Sequence, residues 1–569
     1  MAVHNADIAA AFEEIADLLE LGDENPFRVR AYRNAARIVG GLSLDLAATL
    51  GAGKDLPKLP GIGADLDGKI HEIAARGSCK LLDKLRRKFP AGITELLRLP
   101  GLGPKRLRAL HARRISSLAA LERAASAGRL AKIPGFGART AARLAEAASA
   151  HVQKKTRFKL AVAAQYAEPF AEHLGAVVAG SYRRMKETVG DLDFLVASEK
   201  PAQAVKRFAG YGEVKRVTAQ GTTRASAVLA SGLQCDLRVV PKESFGAALH
   251  YFTGSKAHNI AVRKLGIARG LKINEYGVWK GKRRVAGDTE ESVYAAVGLP
   301  CIEPELREET GELEAARRGE LPRLVELSDL KGDLHAHTKA TDGRNTLREM
   351  ALAAKARGLQ YLAITEHSRK LTMAHGLDPK RLAKQVAEID ELNTKLSGIT
   401  LLKGIEVDIL EDGSLDLPDS ILQKLDLVVG AVHSKFDLPR ARQTERILKA
   451  MENPLFSILA HPSGRLIEER APYDVDMPAL VRAAKRLGVA LELNAHPDRL
   501  DLSDAHCRMA KDEGVLVAVS SDAHGVDGLD VLRFGVGQAR RGWLEKEDVL
   551  NARPLAGLRR WLARARRAG

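Results

Sequence analysis

The stretch AGSYRRMKETVGDLDFLV, residues 179–196, decides the fold of the central part of this chain. Its second half is rich in β-forming residues, and in a strand Asp191 and Asp193 would point to the same face because they lie two positions apart. Gly180 and Ser181 stand at a turn into a helix, where backbone N–H groups can meet phosphate. An isolated pair of acids is usually only a surface feature, but the Gly-Ser turn upstream favours a functional site.

A third carboxylate, Asp236 in LQCDLRVV (233–240), can come from a neighbouring strand. Three carboxylates can hold two Mg²⁺ ions while the phosphates of a nucleotide complete their coordination. Two such ions activate a 3′-hydroxyl and stabilise the leaving pyrophosphate. Arg184 adds positive charge beside the turn. The pattern therefore predicts a nucleotidyl-transfer site in an α/β domain.

Residues 1–150 are predicted to be helical, because apolar residues recur at helical spacing. One turn pattern occurs there three times, as LPGIG at 59–63, LPGLG at 99–103 and IPGFG at 133–137. A Pro-Gly-x-Gly turn joins two helices tightly, and its glycines let the backbone approach a ligand. Three copies in a basic region favour helix-hairpin-helix elements that hold a nucleic-acid backbone. The candidate DNA contacts are Gly61, Gly63, Gly101, Gly103, Lys105, Gly135 and Gly137.

The charge of the chain is unevenly distributed along its 569 residues. The formal net charge is +17, and residues 1–155 carry 26 Lys and Arg against 16 Asp and Glu. The corresponding counts are 26 against 22 for residues 156–330 and 37 against 34 for the remainder. A basic surface that served only solubility would not need to be concentrated, so an anionic partner is expected at the N-terminal end.

The cellular setting is constrained by what the sequence lacks. The four cysteines are far apart with no CxxC pair, which fits a reducing cytosol. No apolar run approaches the roughly 20 residues of a membrane span, and the acidic, amphipathic N-terminus does not resemble a signal peptide. We expect a cytoplasmic, monomeric protein that associates with the nucleoid through DNA and has no membrane partner.

A second pattern, strand followed by helix, begins at residue 331. Nine of the 16 histidines fall between residues 333 and 524, mostly at the ends of candidate strands. Mixed imidazole and carboxylate ligands suit Zn²⁺, Mn²⁺ or Fe²⁺ rather than Mg²⁺ alone, and clustered ions would activate water for attack on phosphorus. The lack of cysteine ligands argues against a closed structural zinc site. The seven candidate strands are 331–338, 361–367, 400–408, 426–433, 456–461, 489–494 and 515–522.

Residues 1 to about 315 resemble the family X DNA polymerases, relatives of polymerase beta. The resemblance includes the first two hairpins and the segments YRNAA (32–36), GSYRR (180–184), GDLDF (190–194), DLRVVP (236–241), YFTGSKAHN (251–259) and INEYG (273–277). It implies that Mg²⁺ or Mn²⁺ is bound by Asp191, Asp193 and Asp236, the last of these as base for the primer hydroxyl. It implies nucleotide contacts from Gly180, Ser181, Arg184, Tyr251, Phe252, Gly254, Asn259 and Arg263.

The same resemblance raises two further expectations. Lys69, after the first hairpin, matches the lysine that removes a 5′-deoxyribose phosphate through a Schiff base, which requires a depressed pKa. The alternative is that Lys69 only pairs with a phosphate, and Asp65 stands where polymerase beta has another lysine. Gln234 departs from the family pattern because polymerase beta has an arginine there, so activation of the primer end is expected to be weaker.

Residues 331 to about 555 resemble the polymerase-and-histidinol-phosphatase (PHP) domain. The resemblance implies a distorted (β/α)7 barrel with two or three ions of Mn²⁺, Zn²⁺ or Fe²⁺, Glu406 as a bridging carboxylate, and 3′→5′ exonuclease activity. Arg465 and Asn494 are candidates for substrate contact. The implied ligands are His335, His337, Asp342, His367, Glu406, His433, His461, Asp522 and His524.

We expect helical, DNA-binding domains in the N-terminal part of the chain and the catalytic domains after them. The expected boundaries are a lyase-like domain at 1–80, a second helix-hairpin-helix subdomain at 81–155, a nucleotidyltransferase palm at 156–242, a thumb at 243–315, a linker at 316–331 and the PHP domain at 332–569.

The leading hypothesis is a DNA polymerase that uses deoxynucleoside triphosphates to fill gapped or nicked DNA during base excision repair, with an end-processing phosphoesterase. Three alternatives remain open. They are a phosphoesterase whose polymerase half mainly docks DNA, a non-enzymatic DNA-end scaffold, and a small-molecule nucleotidyltransferase or histidinol phosphatase.

Overall fold

The computed structural model describes residues 3–40, 42, 46–56, 59, 61–89, 93, 96, 102, 104–130, 133, 136 and 157–568. The described chain divides into two compact units. The first comprises Met1–Phe158 with the short segments Tyr211–Arg216 and Val228–Leu233, and the second comprises the rest.

The N-terminal part of the first unit, up to residue 136, is helical where the structure describes it, as predicted. Phe12, Ile15, Tyr32 and Ile70 lie in its continuous apolar core, where the Phe12 and Tyr32 rings meet edge to face with centroids 5.9 Å apart. The helices are α1 (Asn5–Leu21), α2 (Pro26–Gly40), α3 (Leu46–Gly51), α4 (Ala64–Arg76), α5 (Lys80–Lys88), α6 (Pro104–His111) and α7 (Leu118–Ser126).

The central part of the chain forms a mixed sheet whose strand order is β2-β4-β7-β6-β5 and which belongs mostly to the second unit. Phe170, Phe194 and Phe208 pack together beneath it, and the rings of Phe170 and Phe208 are stacked with centroids 5.2 Å apart. The elements are β1 (Phe158–Lys159), α8 (Leu160–Leu174), β2 (Val177–Val178), α9 (Gly180–Arg183), β3 (Thr188–Val189), β4 (Asp191–Ala197), α10 (Pro201–Ala209), β5 (Val214–Gln220), β6 (Arg224–Leu229) and β7 (Gln234–Val240).

The thumb region follows as helices around a three-stranded antiparallel sheet. Its elements are α11 (Phe245–Thr253), α12 (Lys256–Ala268), β8 (Lys272–Asn274), β9 (Gly277–Lys280), β10 (Arg283–Ala286), α13 (Glu290–Ala296) and α14 (Glu312–Arg318). Helix α14 crosses the predicted boundary at 315–316 because Leu313, Ala315 and Ala316 are buried in the thumb core with Val293.

Parallel strands alternate with helices in the last part of the chain. The strands are β11 (Gly332–Asp333), β12 (Tyr361–Ile364), β13 (Thr400–Lys403), β14 (Glu406–Asp408), β15 (Val429–Ala431), β16 (Ile458–Leu459), β17 (Ala490–Asn494) and β18 (Val517–Ser520). The helices are α15 (Leu347–Ala356), α16 (Pro379–Lys395), α17 (Asp419–Leu422), α18 (Arg440–Met451), α19 (Met477–Leu487), α20 (Asp504–Asp512), α21 (Leu532–Arg541) and α22 (Leu555–Ala568).

These strands form two parallel sheets, β11-β12-β13 and β14-β15-β16-β17-β18. Each of the seven predicted strand regions contains a strand, although the observed strands are shorter than predicted. The region 331–338 is regular only at Gly332–Asp333. The region 400–408 is interrupted at Gly404, where an added Cβ would lie 2.8 Å from the Thr365 side chain.

The two sheets are also joined by isolated parallel bridges between strand ends. His367 pairs with Glu406 in the register of β12 with β13, and Ala336 pairs with Ala523 beyond β11 and β18. The carboxyl ends of these strands therefore meet. Within the described residues, no helix has both the length and the apolar character that a membrane span requires.

Candidate active sites

The three predicted polymerase carboxylates lie on two adjacent strands. Strands β4 and β7 are parallel, and their register places Asp193 directly beside Asp236, with Asp191 two residues earlier on β4. Burial, followed by the charges of Asp191 and Asp236, raises the pKa of Asp193 to about 7. Such mutual repulsion is what a cation-binding carboxylate cluster shows when no cation offsets it.

The Gly-Ser turn lies against this cluster. Gly180 has φ +65°, and a Cβ at this position would lie 2.5 Å from Oδ2 of Asp193. The Ala179 N–H donates to the Asp193 carbonyl over 2.7 Å, which fixes the turn to β4. Only glycine fits here, so Gly180 and Ser181 are held at the edge of the carboxylate cluster.

Asp236 also has two partners. The Ser226 hydroxyl donates to its Oδ1, and the Gln234 amide donates to its Oδ2 over 3.3 Å. Ser226 was not identified from the sequence, because its place on β6 opposite Asp236 depends on strand pairing. Gln234, the departure from the family pattern, contacts the carboxylate as a neutral donor where an arginine would bring charge.

The predicted nucleotide-pocket residues are linked to one another. The Asn259 amide donates to the Tyr251 carbonyl over 2.7 Å, and the Arg263 guanidinium lies 5.0 Å from the centroid of the Tyr251 ring. Phe252 packs against Tyr251 with ring centroids 5.1 Å apart. Gly254 has φ +73°, and its Cα faces the Arg184 guanidinium.

Two consecutive arginines connect the Gly-Ser turn to the thumb region. Arg184 donates to the Thr253 carbonyl and pairs with Glu308 over 3.0 Å. Arg183 donates to the Thr253 hydroxyl and pairs with Glu290 over 2.6 Å. The side chains of Arg183 and Arg184 therefore hold the loop after Gly180 against Thr253 of the YFTGS segment.

The first hairpin and Lys69 belong to the helical unit. Gly61 has φ +79° in the turn before α4, and Gly63 is the N-cap residue of that helix. The Lys69 ammonium contacts the Asp65 carboxylate over 2.5 Å and lies 5.9 Å from the centroid of the Tyr32 ring. Burial favours the neutral amine, but Asp65 and Tyr32 outweigh it and raise the pKa of Lys69.

The remaining hairpin predictions fall largely outside the described residues. Gly101, Gly103, Gly135 and Gly137 lie there, and of Lys105 only the backbone, within α6, is described.

All nine predicted PHP ligands come together at the carboxyl ends of the strands, with Glu406 at the centre. The Glu406 carboxylate lies 2.6 Å from His367, 3.0 Å from His461 and 3.1 Å from His433. His335 and His337 approach it at 3.6 and 3.8 Å. This position suits a carboxylate that bridges ions.

Eight of the nine candidate ligands form three overlapping groups in which the ligand atoms lie within 4.8 Å of one another. The groups are His337, Asp342, His367 and His524; His335, His337 and Asp522; and His367, Glu406 and His433. Several buried atoms here lack a hydrogen-bond partner, among them both ring nitrogens of His337 and Oε2 of Glu406. Unsatisfied buried ligand atoms of these types fit a cluster of divalent ions.

The ionisable groups of this cluster have pKa values that are shifted in opposite directions. Burial alone would raise the pKa of Glu406, but the surrounding imidazoles, first that of His433, hold it well below its usual range. Burial favours neutral His367, yet Glu406 and Asp342 raise its pKa to about 10. Burial and the neighbouring imidazoles lower the pKa of His337 to about 3, so this ring is neutral and free to bind a cation.

A second layer of carboxylates orients the histidines. Glu492 accepts from Nδ1 of His335 over 2.7 Å and from the backbone N–H of His461 over 2.8 Å. Asp408 lies 3.3 Å from Nδ1 of His433. Such partners fix the ring that binds a metal. The sequence reading missed them, although Asp408 lies two residues after Glu406 on the same strand.

Arg465 and Asn494 have structural partners. The Arg465 guanidinium donates to the Arg499 and Leu500 carbonyls and pairs with Glu187 of the palm over 2.8 Å. The Asn494 amide donates to Asp522 over 3.0 Å. Asn494 therefore supports a predicted ligand, and Arg465 joins two regions of the second unit.

Comparison with known families matches four regions. Residues 3–79 match a helix-hairpin-helix domain, and residues 93–150 match a SAM-like helix-hairpin-helix tandem. Residues 248–308 match the DNA polymerase beta thumb, and residues 333–496 match the PHP domain.

Similar proteins extend this comparison. The DNA polymerase/3'-5' exonuclease PolX of Bacillus subtilis (strain 168) is 38% identical over 577 residues, which cover 99% of this chain and 100% of that protein. A probable phosphatase of Thermoanaerobacter sp. (strain X514) is 34% identical over 213 residues, 36% of this chain and 81% of that protein. A probable phosphatase of Acetivibrio thermocellus is 30% identical over 226 residues, 38% of this chain and 86% of that protein. Since the match to the first relative runs along essentially the whole of both chains, this protein belongs to the family X DNA polymerases that combine helix-hairpin-helix domains, a polymerase beta thumb and a C-terminal PHP domain.

Proposed function

We propose that this protein extends DNA 3′ ends across short gaps during base excision repair and trims 3′ ends in its PHP domain. One observation supports the proposal: the carboxylates of Asp191, Asp193 and Asp236 lie together on β4 and β7, and the nine predicted PHP ligands lie together around Glu406 in the same chain. The printed name of the Bacillus subtilis relative pairs the same two activities.

In the polymerase site, Asp191, Asp193 and Asp236 would hold Mg²⁺ or Mn²⁺, whose charge favours attack of a 3′-hydroxyl on a deoxynucleoside triphosphate. The backbone of Gly180 and Ser181, with Arg184, would bind the triphosphate. Asp236 would take the proton of the primer hydroxyl. The hydrogen bonds from Ser226 and Gln234 orient this carboxylate.

In the nucleotide pocket, the linked side chains Tyr251, Phe252, Asn259 and Arg263 would receive the sugar and the nascent base pair. Their mutual contacts hold the pocket in one arrangement before a nucleotide binds, which lowers the entropy cost of binding.

In the PHP site, the nine ligands would hold two or three ions of Mn²⁺, Zn²⁺ or Fe²⁺, which supply a nucleophilic water at neutral pH. Glu406 would bridge ions, and Glu492 and Asp408 would keep His335 and His433 in the ligating orientation. We further infer that the seven strand regions close into a distorted (β/α)7 barrel, which the bridges between strand ends support.

Lyase activity at Lys69 is a secondary proposal that rests on the family resemblance. The ion pair with Asp65 opposes it, because a raised pKa keeps the amine protonated. Trapping with borohydride on DNA with a 5′-deoxyribose phosphate tests it, since a Schiff base would give a covalent adduct that Lys69→Ala lacks.

The test uses end-labelled DNA with a one-nucleotide gap. Asp193→Ala should abolish extension and keep degradation, and His337→Ala should do the reverse. Each loss should exceed the roughly 10–100-fold cost of removing a supporting partner of a ligand. The exposed Glu199 and His173, each changed to alanine, are matched controls outside both clusters.

Extension that survives Asp193→Ala would refute the polymerase assignment. Degradation that survives His337→Ala would place the nuclease elsewhere. Binding of gapped DNA without extension by the wild type would favour the alternative of a phosphoesterase whose polymerase half only docks DNA.

A further inference from the structure

Helix α21, in the C-terminal part of the chain, packs on the triphosphate-binding loop of the palm. At Gly537 an added Cβ would lie 2.4 Å from the Met185 side chain, so the helix approaches this loop as closely as glycine allows. On its other side, an added Cβ at Gly535 would lie 2.5 Å from Ala495 and 2.9 Å from Val519 of β18. One helix therefore touches both the loop that follows Gly180 and the strand that precedes Asp522.

Arg541, the last residue of α21, makes the most specific of these contacts. Its Nη1 donates to the Arg184 carbonyl over 2.8 Å and to the Glu308 carboxylate over 3.0 Å. Its Nε and Nη2 donate to Asp504 over 3.1 and 2.7 Å. The Arg541 side chain is only 3% exposed, so it has no route to a bound nucleotide.

Glu308 is shared among several cations. Its Oε1 is 3.0 Å from Nε of Arg184, 3.0 Å from Nη1 of Arg541 and 3.9 Å from Nζ of Lys186. Burial alone would raise the pKa of Glu308, but these cations, first Arg184, hold it below its usual range. One carboxylate therefore does not neutralise the loop, and Arg184 keeps positive charge available for phosphate.

The segment that carries Glu308 is held by the same helix. Arg540 donates to Glu305 over 2.6 Å and lies 3.5 Å from Glu303. Helix α21 thus fixes both the backbone of the loop, through Arg184 and Met185, and the carboxylate that orients the Arg184 guanidinium.

We propose that Arg541 is a positioning residue for nucleotide binding in the polymerase site, acting through Glu308 and the Arg184 backbone. This rests on the proposed polymerase function, in which Arg184 contacts the triphosphate. Without Arg541, Glu308 would pair more fully with Arg184, and the loop would lose its hydrogen bond to α21. Binding of the anionic triphosphate would weaken, whereas a nucleotide already bound would react at a similar rate.

The experiment measures the KM for the incoming deoxynucleoside triphosphate and kcat of gap filling for the full-length chain. Arg541→Ala should raise KM about tenfold, the loss of a charge-assisted hydrogen bond, with kcat changed less than about twofold. Arg541→Lys, which retains the charge but loses the forked hydrogen bonds, should give an intermediate KM.

The matched control is Arg357→Ala. Arg357 follows α15 and pairs with Asp530, two residues before α21, with its Nε 2.7 Å from Oδ1 and its Nη2 2.8 Å from Oδ2. This variant removes a forked ion pair next to α21 in which neither partner belongs to the palm, and its KM should equal that of the wild type.

A double-mutant comparison tests whether Arg541 acts through Glu308. In a Glu308→Gln background, Arg541→Ala should raise KM only about threefold instead of tenfold, because the charge of Glu308 is gone and only the hydrogen bond to the Arg184 carbonyl is still lost. An equal effect in both backgrounds would overturn the proposed route through Glu308.

The exonuclease activity of each variant shows whether α21 is still packed against β18. Unchanged degradation with a raised KM supports the proposal, and an unchanged KM overturns it. Loss of both activities together would also overturn it, since Arg541 would then be a general fold contact. A wild-type chain that degrades DNA but never extends it would instead refute the polymerase function.

Discussion

At the residue scale, Asp193 is the most closely surrounded of the three carboxylates in the polymerase site. It is crowded by two carboxylates and by the backbone of Gly180, and its pKa of about 7 is far above the ordinary value of 3.8. A carboxyl with this pKa holds a proton at mildly acidic pH. A divalent cation must displace that proton before it can bind, so cation binding at this site is linked to pH.

The Mg²⁺ concentration for half-maximal gap filling should therefore depend on pH. Asp193 is mostly ionised at pH 8 and mostly protonated at pH 6, so the requirement should rise about tenfold as the pH falls between these values. A Mg²⁺ titration of extension at each pH measures this. A requirement that is the same at pH 6 and pH 8 would contradict a proton on Asp193.

At the element scale, the short helix α9 shows how one backbone conformation supports a site. Its first residue, Gly180, has a positive φ and faces Asp193 at a distance that leaves no room for a side chain. The loop that follows is then anchored by two arginines to the YFTGS segment. The turn is thus held by contacts on both sides as well as by its own helical hydrogen bonds, such as that from the Arg184 N–H to the Gly180 carbonyl over 3.3 Å.

Gly180→Ala should abolish extension and leave degradation intact, because the new methyl group would displace the Asp193 carboxylate. Gly175 provides a matched control, since it has φ +64° and no neighbouring atoms within 4 Å of an added Cβ. Both variants should lose roughly 1–2 kcal/mol of stability to the left-handed conformation, measured by denaturant unfolding. Loss of extension in Gly175→Ala as well would show that strain alone, without the contact to Asp193, disables the site.

At the scale of the whole molecule, the excess of positive charge and the three hairpin patterns belong to the first 155 residues, while both catalytic clusters belong to the second unit. Charge that contacts phosphates without reading bases gives affinity that depends on salt. Binding and chemistry should therefore respond differently to ionic strength.

Affinity for gapped DNA should fall steeply with salt. If each hairpin holds one phosphate, the logarithm of Kd should rise with the logarithm of salt with a slope of about 2.7, or roughly 40-fold between 50 and 200 mM. Fluorescence anisotropy of labelled gapped DNA measures the slope. A slope near zero would exclude phosphate contacts as the main source of affinity.

The sequence by itself predicted which side chains make up the two candidate sites. Asp191 and Asp193 share a face because of the two-residue period of strand β4, which is a local property. The strand ends could be located from apolar runs followed by polar residues, and the resemblance to the PHP domain then implied the nine ligands without knowledge of the packing. The three glycine-rich turns were equally local signals, and the first is seen at Gly61.

Only the tertiary structure decided which distant side chains support those residues. Ser226 meets Asp236 through strand pairing, Glu492 meets His335 across 157 residues of sequence, and Arg541 meets Arg184 across 357. Such contacts depend on how whole strands and helices pack, and neither periodicity nor residue type encodes the packing partner. The candidate ligands could therefore be predicted from the sequence, whereas the residues that contact and orient them were found only in the folded molecule.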